Sequence, residues 1–272
     1  MKSLENFLDR EKVADLREIL KGYGSLLIAF SGGVDSSFLL KAAVDFLGPE
    51  GVLAVTSSGS IYPQEELADA RQLATRLEAP WKLIERSPLE EEDFRANSPD
   101  RCYFCKLGLF HKLKEIAAEE GLGEVADGSI EDDLGDHRPG ARAAEELGVK
   151  SPLREAGLTK EEIRKLGKEI GLPVWGKPSN ACLATRIPYG EEVTEEKIRR
   201  IGEAEAGLRE LGFEGFRVRH HGEIARIELP PKDLTRALEE REEIVDRLKE
   251  LGYNYVALDL EGYRTGSLNE VV

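Results

Sequence analysis

A chain of 272 residues, 40 % hydrophobic and 33 % charged, is long enough to bury a core and has the composition of a globular rather than a disordered protein. Its 38 basic and 53 acidic residues leave a net charge of −15, which disfavours a broad nucleic-acid surface. No apolar run approaches the ~18 residues of a membrane span and MKSLENFLDREK lacks a signal-peptide core, so a cytoplasmic protein with no membrane and no nucleic-acid partner is expected. The three cysteines, Cys102, Cys105 and Cys182, are an odd set that suggests thiol or metal chemistry over a disulfide framework. Abundant Glu, Lys and Arg with scarce Met and Cys give a thermophile-like bias.

Leu4, Phe7, Leu8, Val13, Leu16 and Leu20 stand at helical spacing, which predicts an amphipathic helix over residues 1–22. LLIAF, residues 26–30, then reads as a short buried strand, SGGVDSS follows at once, and FLLKAAVDFL returns to helical spacing. A strand, a glycine turn and a helix start make a phosphate cradle. Gly32 and Gly33 permit the sharp turn and close approach, and the free N–H groups of the new helix face an anion. Ser31, Ser36 and Ser37 add hydroxyl donors, while Asp35 beside phosphate implies a Mg²⁺ contact, direct or through water. The Walker spacing is absent. SGGVDSS instead resembles the PP-loop of the ATP pyrophosphatase superfamily, whose members split ATP into AMP and pyrophosphate and use the AMP to activate an oxygen of the substrate.

GVLAVTSSGS reads as a second parallel strand, with Thr56, Ser57 and Ser58 at the end where open α/β sheets bind ligands. Pro63 starts a helix with Glu65 and Glu66 in its first turn, and WKLIERSP gives a third strand. Alternating strands and helices indicate a doubly wound parallel sheet. NSPDRCYFCKLGLFHKLKEIAAEEG then places Cys102-x-x-Cys105 at the start of an amphipathic helix. A lone CxxC reads as a redox pair, half a zinc site or part of a cluster site; two semi-buried helix thiols are the plain alternative.

DGSIEDD resembles the second signature of PP-loop enzymes, with Asp132 and Asp133 as candidates to hold Mg²⁺ against the β- and γ-phosphates, and a solvated acidic turn as the alternative. In HRPGAR, Arg138 and Arg142 are candidates to clamp a phosphate or carboxylate. Residues 151–173 predict a helix in which Thr159 and Glu162 form a capping box. Cys182 follows in a polar, proline-bracketed loop, where Arg186 and Lys177 would favour its thiolate. A boundary near residues 188–194 divides a domain over 1–188 from a smaller α+β domain over 189–272, expected to bind substrate or oligomerise. That second part reads as helix, strand, strand, helix, strand. LRELGFEGFRVRHHG and LKELGYNYVALDLEG echo each other, which favours a ferredoxin-like duplication. Arg217, Arg219 and His221 share one strand face in a basic cluster with His220 and Arg226, either salt-bridged or a phosphate site, and Glu228 is a ligand or counter-charge to it.

SGGVDSSFLLK, DRCYFCK, DGSIEDDLGDHRPGARAA, ACLATRIPYG, FRVRHHGEIARIELP and DLEGYRTGSLN together resemble the LarE family, along almost the whole chain and in order. The resemblance implies ATP-dependent sulfur insertion into pyridinium-3,5-biscarboxylic acid mononucleotide, through acyl-adenylates, for the nickel-pincer cofactor of lactate racemase. It implies that Ser31, Gly32, Gly33, Asp35 and Ser36 bind the pyrophosphate part of ATP, with Ser37, Thr56, Ser57, Asp132, Asp133 and Arg142 beside it. Arg217, Arg219 and Thr185 would hold the substrate phosphate. Cys182 matches the family's sulfur-handling cysteine, with Arg186 as its neighbour. Two branches of the family differ: in one a single cysteine is sacrificed to dehydroalanine, and in the other three cysteines hold a [4Fe–4S] cluster with one iron left open to hydrosulfide. Three cysteines, all inside family motifs, favour the cluster, held by Cys102, Cys105 and Cys182. The expected cofactors are ATP, Mg²⁺ and [4Fe–4S]; the expected partners are the pyridinium mononucleotide, sulfide or another sulfur donor, and further copies of the chain in a homo-oligomer. The alternatives are a PP-loop tRNA thiolase, an amidating ligase of the NAD synthetase kind, and a non-catalytic metal or nucleotide sensor.

Overall fold

A computed structural model describes residues 1–135, 139–178 and 181–264. The chain forms two compact units, one from 1–59, 64–86 and 102–180, the other from 60–63, 87–101 and 181–272. The elements in chain order are α1 (Glu11–Tyr23), β1 (Leu26–Ala29), α2 (Val34–Leu47), β2 (Val52–Ser58), α3 (Gln64–Arg76), β3 (Trp81–Glu85), α4 (Glu92–Arg95), α5 (Arg101–Glu119), β4 (Glu124–Ala126), α6 (Pro139–Glu146), α7 (Pro152–Glu155) and α8 (Lys160–Ile170). They continue with α9 (Glu195–Glu210), β5 (Arg217–His221), β6 (Ile224–Glu228), α10 (Leu234–Glu239), α11 (Arg241–Glu250) and β7 (Tyr255–Leu258).

The first unit is built on a parallel sheet of order β3-β2-β1-β4. Because strand side chains alternate, Leu26, Ile28, Val52 and Ala54 enter a core with α1, α2, α3 and α8, while Leu27, Val55 and Val125 enter a second core with α5 and α6. Both faces are therefore covered, as an all-parallel sheet requires, and the doubly wound α/β expectation holds. Going from β3 to β4 the chain crosses to the other side of β1, which makes the end of β1 the point where strand order reverses. Two expected helices are shorter than their apolar spacing suggests. The first begins only at Glu11, because Leu4–Phe7 form a 3-10 turn in which the Ser3 hydroxyl accepts the Glu5 amide. Residues 151–173 divide into α7 and α8, the second opened by the predicted Thr159–Glu162 capping box.

The second unit carries a three-stranded sheet of order β5-β6-β7, with β5 antiparallel and β7 parallel to β6. Val218, Ala225 and Ile227 on one face pack against Ala204, Leu208, Phe213, Ile244, Leu248 and Tyr253. A ferredoxin-like duplication is not what forms, since three strands pair and β7 lies directly against β6. The similar stretches share a helix-turn-strand pattern because each packs a helix on this sheet, and that pattern alone does not set strand order. Among the described residues no helix is long and apolar enough to cross a membrane.

Leu39 is 0 % exposed in the α2 core and Leu260 is 86 % exposed. Urea unfolding followed by circular dichroism is expected to show a loss of about 2–5 kcal/mol for Leu39→Ala and a change within about 0.5 kcal/mol for Leu260→Ala.

Candidate active site

The turn after β1 is shaped by closeness of backbone. Gly32 has φ +71, and a Cβ there would stand 3.0 Å from the Cβ of Ala70. Gly33 caps α2, leaving the first N–H groups of that helix at the end of β1. The Gly33 amide donates to Ser31 Oγ at 3.3 Å, the Ser36 hydroxyl donates to the Gly33 carbonyl at 3.2 Å, and the Ser31 and Ser36 hydroxyls lie 3.1 Å apart. Beside this stitched loop, the buried oxygens Ser37 Oγ, Ser57 Oγ and Asp35 Oδ1 have no hydrogen-bond partner. Unpartnered buried donors and acceptors cost about 1–3 kcal/mol each, and their gathering at a strand-to-helix turn is what a polyphosphate and its cation would satisfy.

Lysine and acid groups from later in the chain reach the same turn. Lys160 Nζ donates to Asp35 Oδ2 at 2.6 Å, and the Lys160 amide donates to Asp132 Oδ2 at 2.7 Å, so Asp132 caps the start of α8. Asp133 Oδ2 accepts the Ile130 amide at 3.0 Å. Asp127, 6 % exposed, accepts from the Ser129 and Ser151 hydroxyls at 2.8 and 2.9 Å. The three proposed Mg²⁺ contacts Asp35, Asp132 and Asp133 are therefore engaged separately, with Asp35 Oδ1 left over. Thr56 donates its hydroxyl to the Phe30 carbonyl at 2.8 Å and accepts from Trp81 Nε1 at 2.9 Å, which ties β2 to its neighbours. Sequence pattern did not single out Lys160, Asp127 or Trp81. Asp127 had a signal, the Asp-x-Ser turn directly after β4.

Cys102 and Cys105 occupy the first turn of α5 at i, i+3 and are partly exposed, and Arg86 Nη1 donates to the Cys105 sulfur at 3.6 Å. Arg142 stacks on the Tyr103 ring at 3.9 Å and lies 3.8 Å from Glu146, which also accepts the Tyr103 hydroxyl at 2.7 Å. Lys177 pairs with Asp69 at 3.2 Å. Among the described residues no group of three or more His, Cys, Asp and Glu side chains is drawn together to hold a metal ion. Arg138 and the TGSLN end of the last motif lie outside the described residues.

In the second unit Cys182 precedes a 3-10 turn, Leu183–Arg186, and its carbonyl accepts the Thr185 hydroxyl at 2.8 Å and Arg186 Nη1 at 3.2 Å. Arg186 is 2 % exposed and grips Glu205 with a fork of 2.8 and 3.1 Å, while Glu205 also accepts the Val218 amide. Asn97, at φ +53, donates its Nδ2 to the Pro188 and Glu191 carbonyls at 2.7 and 2.8 Å. Arg101, 1 % exposed, bonds Asn97 Oδ1 and the Ala184 carbonyl. The Cys182 loop is thereby pinned from both ends. Arg219 reaches the Thr185 carbonyl at 2.8 Å and Glu228 at 2.8 Å. Arg217 is 8 % exposed and stacks on Tyr263 at 5.0 Å; burial first, then the neighbouring Arg186, pulls its pKa down. Arg186, Arg217, Arg219 and Thr185 are thus brought to the same region as the Cys182 backbone. Sequence reasoning missed Glu205, Asn97 and Arg101, whose partners are far along the chain.

The NAD synthase family profile matches residues 6–97. Over whole-chain length, the protein is 42 % identical to slr1717 of Synechocystis across 96 % of this chain and 98 % of that one. It is 38 % identical to pyridinium-3,5-bisthiocarboxylic acid mononucleotide synthase of Lactiplantibacillus plantarum, covering 96 % of this chain and 95 % of the relative. Protein MJ0830 of Methanocaldococcus jannaschii shares 31 % identity across 88 % of this chain and 91 % of its own.

Glu205→Ala strands the buried Arg186 guanidinium and is expected to destabilise the protein by about 3–5 kcal/mol, whereas Arg186→Met with Glu205→Leu, which removes both charges but leaves the Val218 amide without its acceptor, is expected to cost only about 1–3 kcal/mol. Chemical denaturation of the two variants beside wild type checks the difference.

Proposed function

The chain belongs to the LarE family of PP-loop enzymes, and on that premise we propose that it inserts sulfur into both carboxylates of pyridinium-3,5-biscarboxylic acid mononucleotide. It is an ATP-dependent sulfurtransferase. In the proposed reaction a carboxylate oxygen attacks the α-phosphorus of ATP and pyrophosphate leaves, giving an acyl-adenylate. A sulfur nucleophile then attacks the acyl carbon, and AMP departs with the former carboxylate oxygen, leaving a thiocarboxylate. The second carboxylate is treated in the same way. The observation that carries this reading is the set of buried, unpartnered Asp35 Oδ1, Ser37 Oγ and Ser57 Oγ beside the helix N-terminus after β1.

In this reading Ser31, Gly32, Gly33, Ser36 and Ser37 hold the pyrophosphate part of ATP, and Asp35, through its unpartnered Oδ1, would hold the Mg²⁺ that neutralises phosphate charge. Lys160, already on Asp35, adds a cation for charge that develops on the departing pyrophosphate. Ser57 and the backbone beside Thr56 border the nucleotide, with Arg142, Asp132 and Asp133 shaping the rim. Arg217, Arg219 and Thr185 receive the phosphate of the substrate. In this reading the first unit binds ATP, and the second, which carries Thr185, Arg217 and Arg219, binds the substrate phosphate.

Cys102, Cys105 and Cys182 are the donors proposed for a [4Fe–4S] cluster. Two thiols at i, i+3 on one helix turn, both partly exposed and that of Cys105 contacted by Arg86, fit thiolate ligands of such a group. When bound, the cluster supplies an iron site for inorganic sulfide. Arg186 holds the Cys182 backbone through its carbonyl and keeps Thr185 in place. The acidic net charge of −15 disfavours the tRNA-thiolase alternative. A cytoplasmic homo-oligomer completes the proposal.

Anaerobic purification with iron and sulfide analysis tests the sulfur route. About four irons per chain, lost in Cys102→Ala, is the expected result. An iron-free protein that thiolates its substrate once, losing the mass of H₂S from Cys182, would replace it with a sacrificial cysteine.

A further inference from the structure

The polar face of the β5-β6-β7 sheet holds a histidine that the reaction outlined above does not use. Strand alternation puts Arg217, Arg219 and His221 on the face opposite the helix-packed core, and the antiparallel register sets Glu228 beside Arg217, Arg226 beside Arg219 and Ile224 beside His221. Glu228, 1 % exposed, divides its two carboxylate oxygens between Arg219 and Arg226, and Arg226 also meets Asp259 at 3.2 Å. Three guanidiniums, Arg217, Arg219 and Arg226, are thus gathered on one face, a set of fork-shaped donors suited to an anion. On the same face His221 Nε2 is buried and has no hydrogen-bond partner. A ring nitrogen withdrawn from water with nothing to bond is a place for a ligand atom.

We propose that His221 completes this anion site, taking up a proton as a phosphate monoester dianion binds and donating it from Nε2 to a phosphate oxygen. The proposal rests on the reading that the Arg217–Arg219 face receives the substrate phosphate. In the free protein burial lowers the His221 pKa most, followed by Arg226 and then Arg219, with His220 next to it on the strand; Glu191 and Glu228 act in the opposite sense, and Asp259 is held by Arg226. Neutral imidazole is the resting form near neutral pH. A dianion reverses the local field and favours the imidazolium, so the bound-state pKa exceeds the free one. Between those two values each added pH unit weakens binding about tenfold, and one proton from solvent enters the complex.

Titration calorimetry of the full chain with nicotinic acid mononucleotide, a pyridinium carboxylate bearing a phosphate monoester, tests this directly. Above about pH 7 that ligand is already a dianion, since the second phosphate pKa is about 6, and proton uptake then reports on the protein. Buffers of different ionisation enthalpy are expected to reveal uptake of about one proton. In His221→Gln, which keeps a donor but does not titrate, uptake is expected to vanish and affinity to become independent of pH; His221→Phe is expected to weaken binding as well. Wild-type binding without proton uptake, or uptake that persists in folded His221→Gln, overturns the role of His221 and leaves the phosphate-face reading standing. No binding, or binding that Arg217→Ala leaves unchanged, overturns both.

Discussion

The end of β4 presses so closely on the first turn of α2 that Gly128 has no room for a side chain. A Cβ there would lie 2.9 Å from the Ser36 amide nitrogen and 3.1 Å from its Cα. Backbone, unlike a flexible side chain, does not yield at that distance. This one approach holds the PP-loop turn against the DGS turn that follows β4, at the point where strand order reverses. The consequences run outward. Asp127 is held by Ser129 and Ser151, the Asp132 carboxylate caps α8, and α8 in turn delivers Lys160 to Asp35. Rigid neighbours leave Ser37, Ser57 and Asp35 with buried oxygens that no protein group completes.

The second unit solves a different electrostatic problem. Buried charges are met by directed partners: Arg186 by Glu205, and Glu228 by both Arg219 and the half-exposed Arg226, which also meets Asp259. Such pairs contribute little net stability because desolvation offsets the Coulomb attraction. Their value is positional. Glu205 binds the Val218 amide as well as Arg186, so one carboxylate fixes a strand of the sheet and the turn that follows Cys182. His220, on the opposite face of β5, lies 3.2 Å from the Tyr253 hydroxyl, and burial lowers its pKa while raising that of Tyr253 to about 12. One strand thus shows an uncharged inner side and a cationic outer side.

Local pattern carried much of this architecture. The LLIAF run, the glycine turn and the helical spacing that follows declare a strand-turn-helix because each depends on residues within a few positions. The Thr159 capping box was legible for the same reason. What was not legible is long-range. Lys160 meets Asp35 across 125 positions, Arg101 meets Ala184 across 83, and no periodicity links them. Residues 87–101 pack with the second unit because Asn97 and the Arg95 carbonyl bind the loop after Cys182, which hydropathy along the chain does not reveal. The helix-turn-strand echo suggested a duplication, yet strand order depends on which edges pair, and β7 joined β6.

The central claim is that the PP-loop transfers AMP to a carboxylate of the pyridinium mononucleotide. Substrate carrying heavy oxygen in its carboxylates, incubated with ATP, Mg²⁺ and sulfide under anaerobic conditions, tests it by mass spectrometry of the released nucleotide. The account predicts AMP with one heavy oxygen on its phosphate for each thiocarboxylate formed, together with unlabelled pyrophosphate. Release of ADP with the label in inorganic phosphate would mean activation as an acyl phosphate and would contradict it.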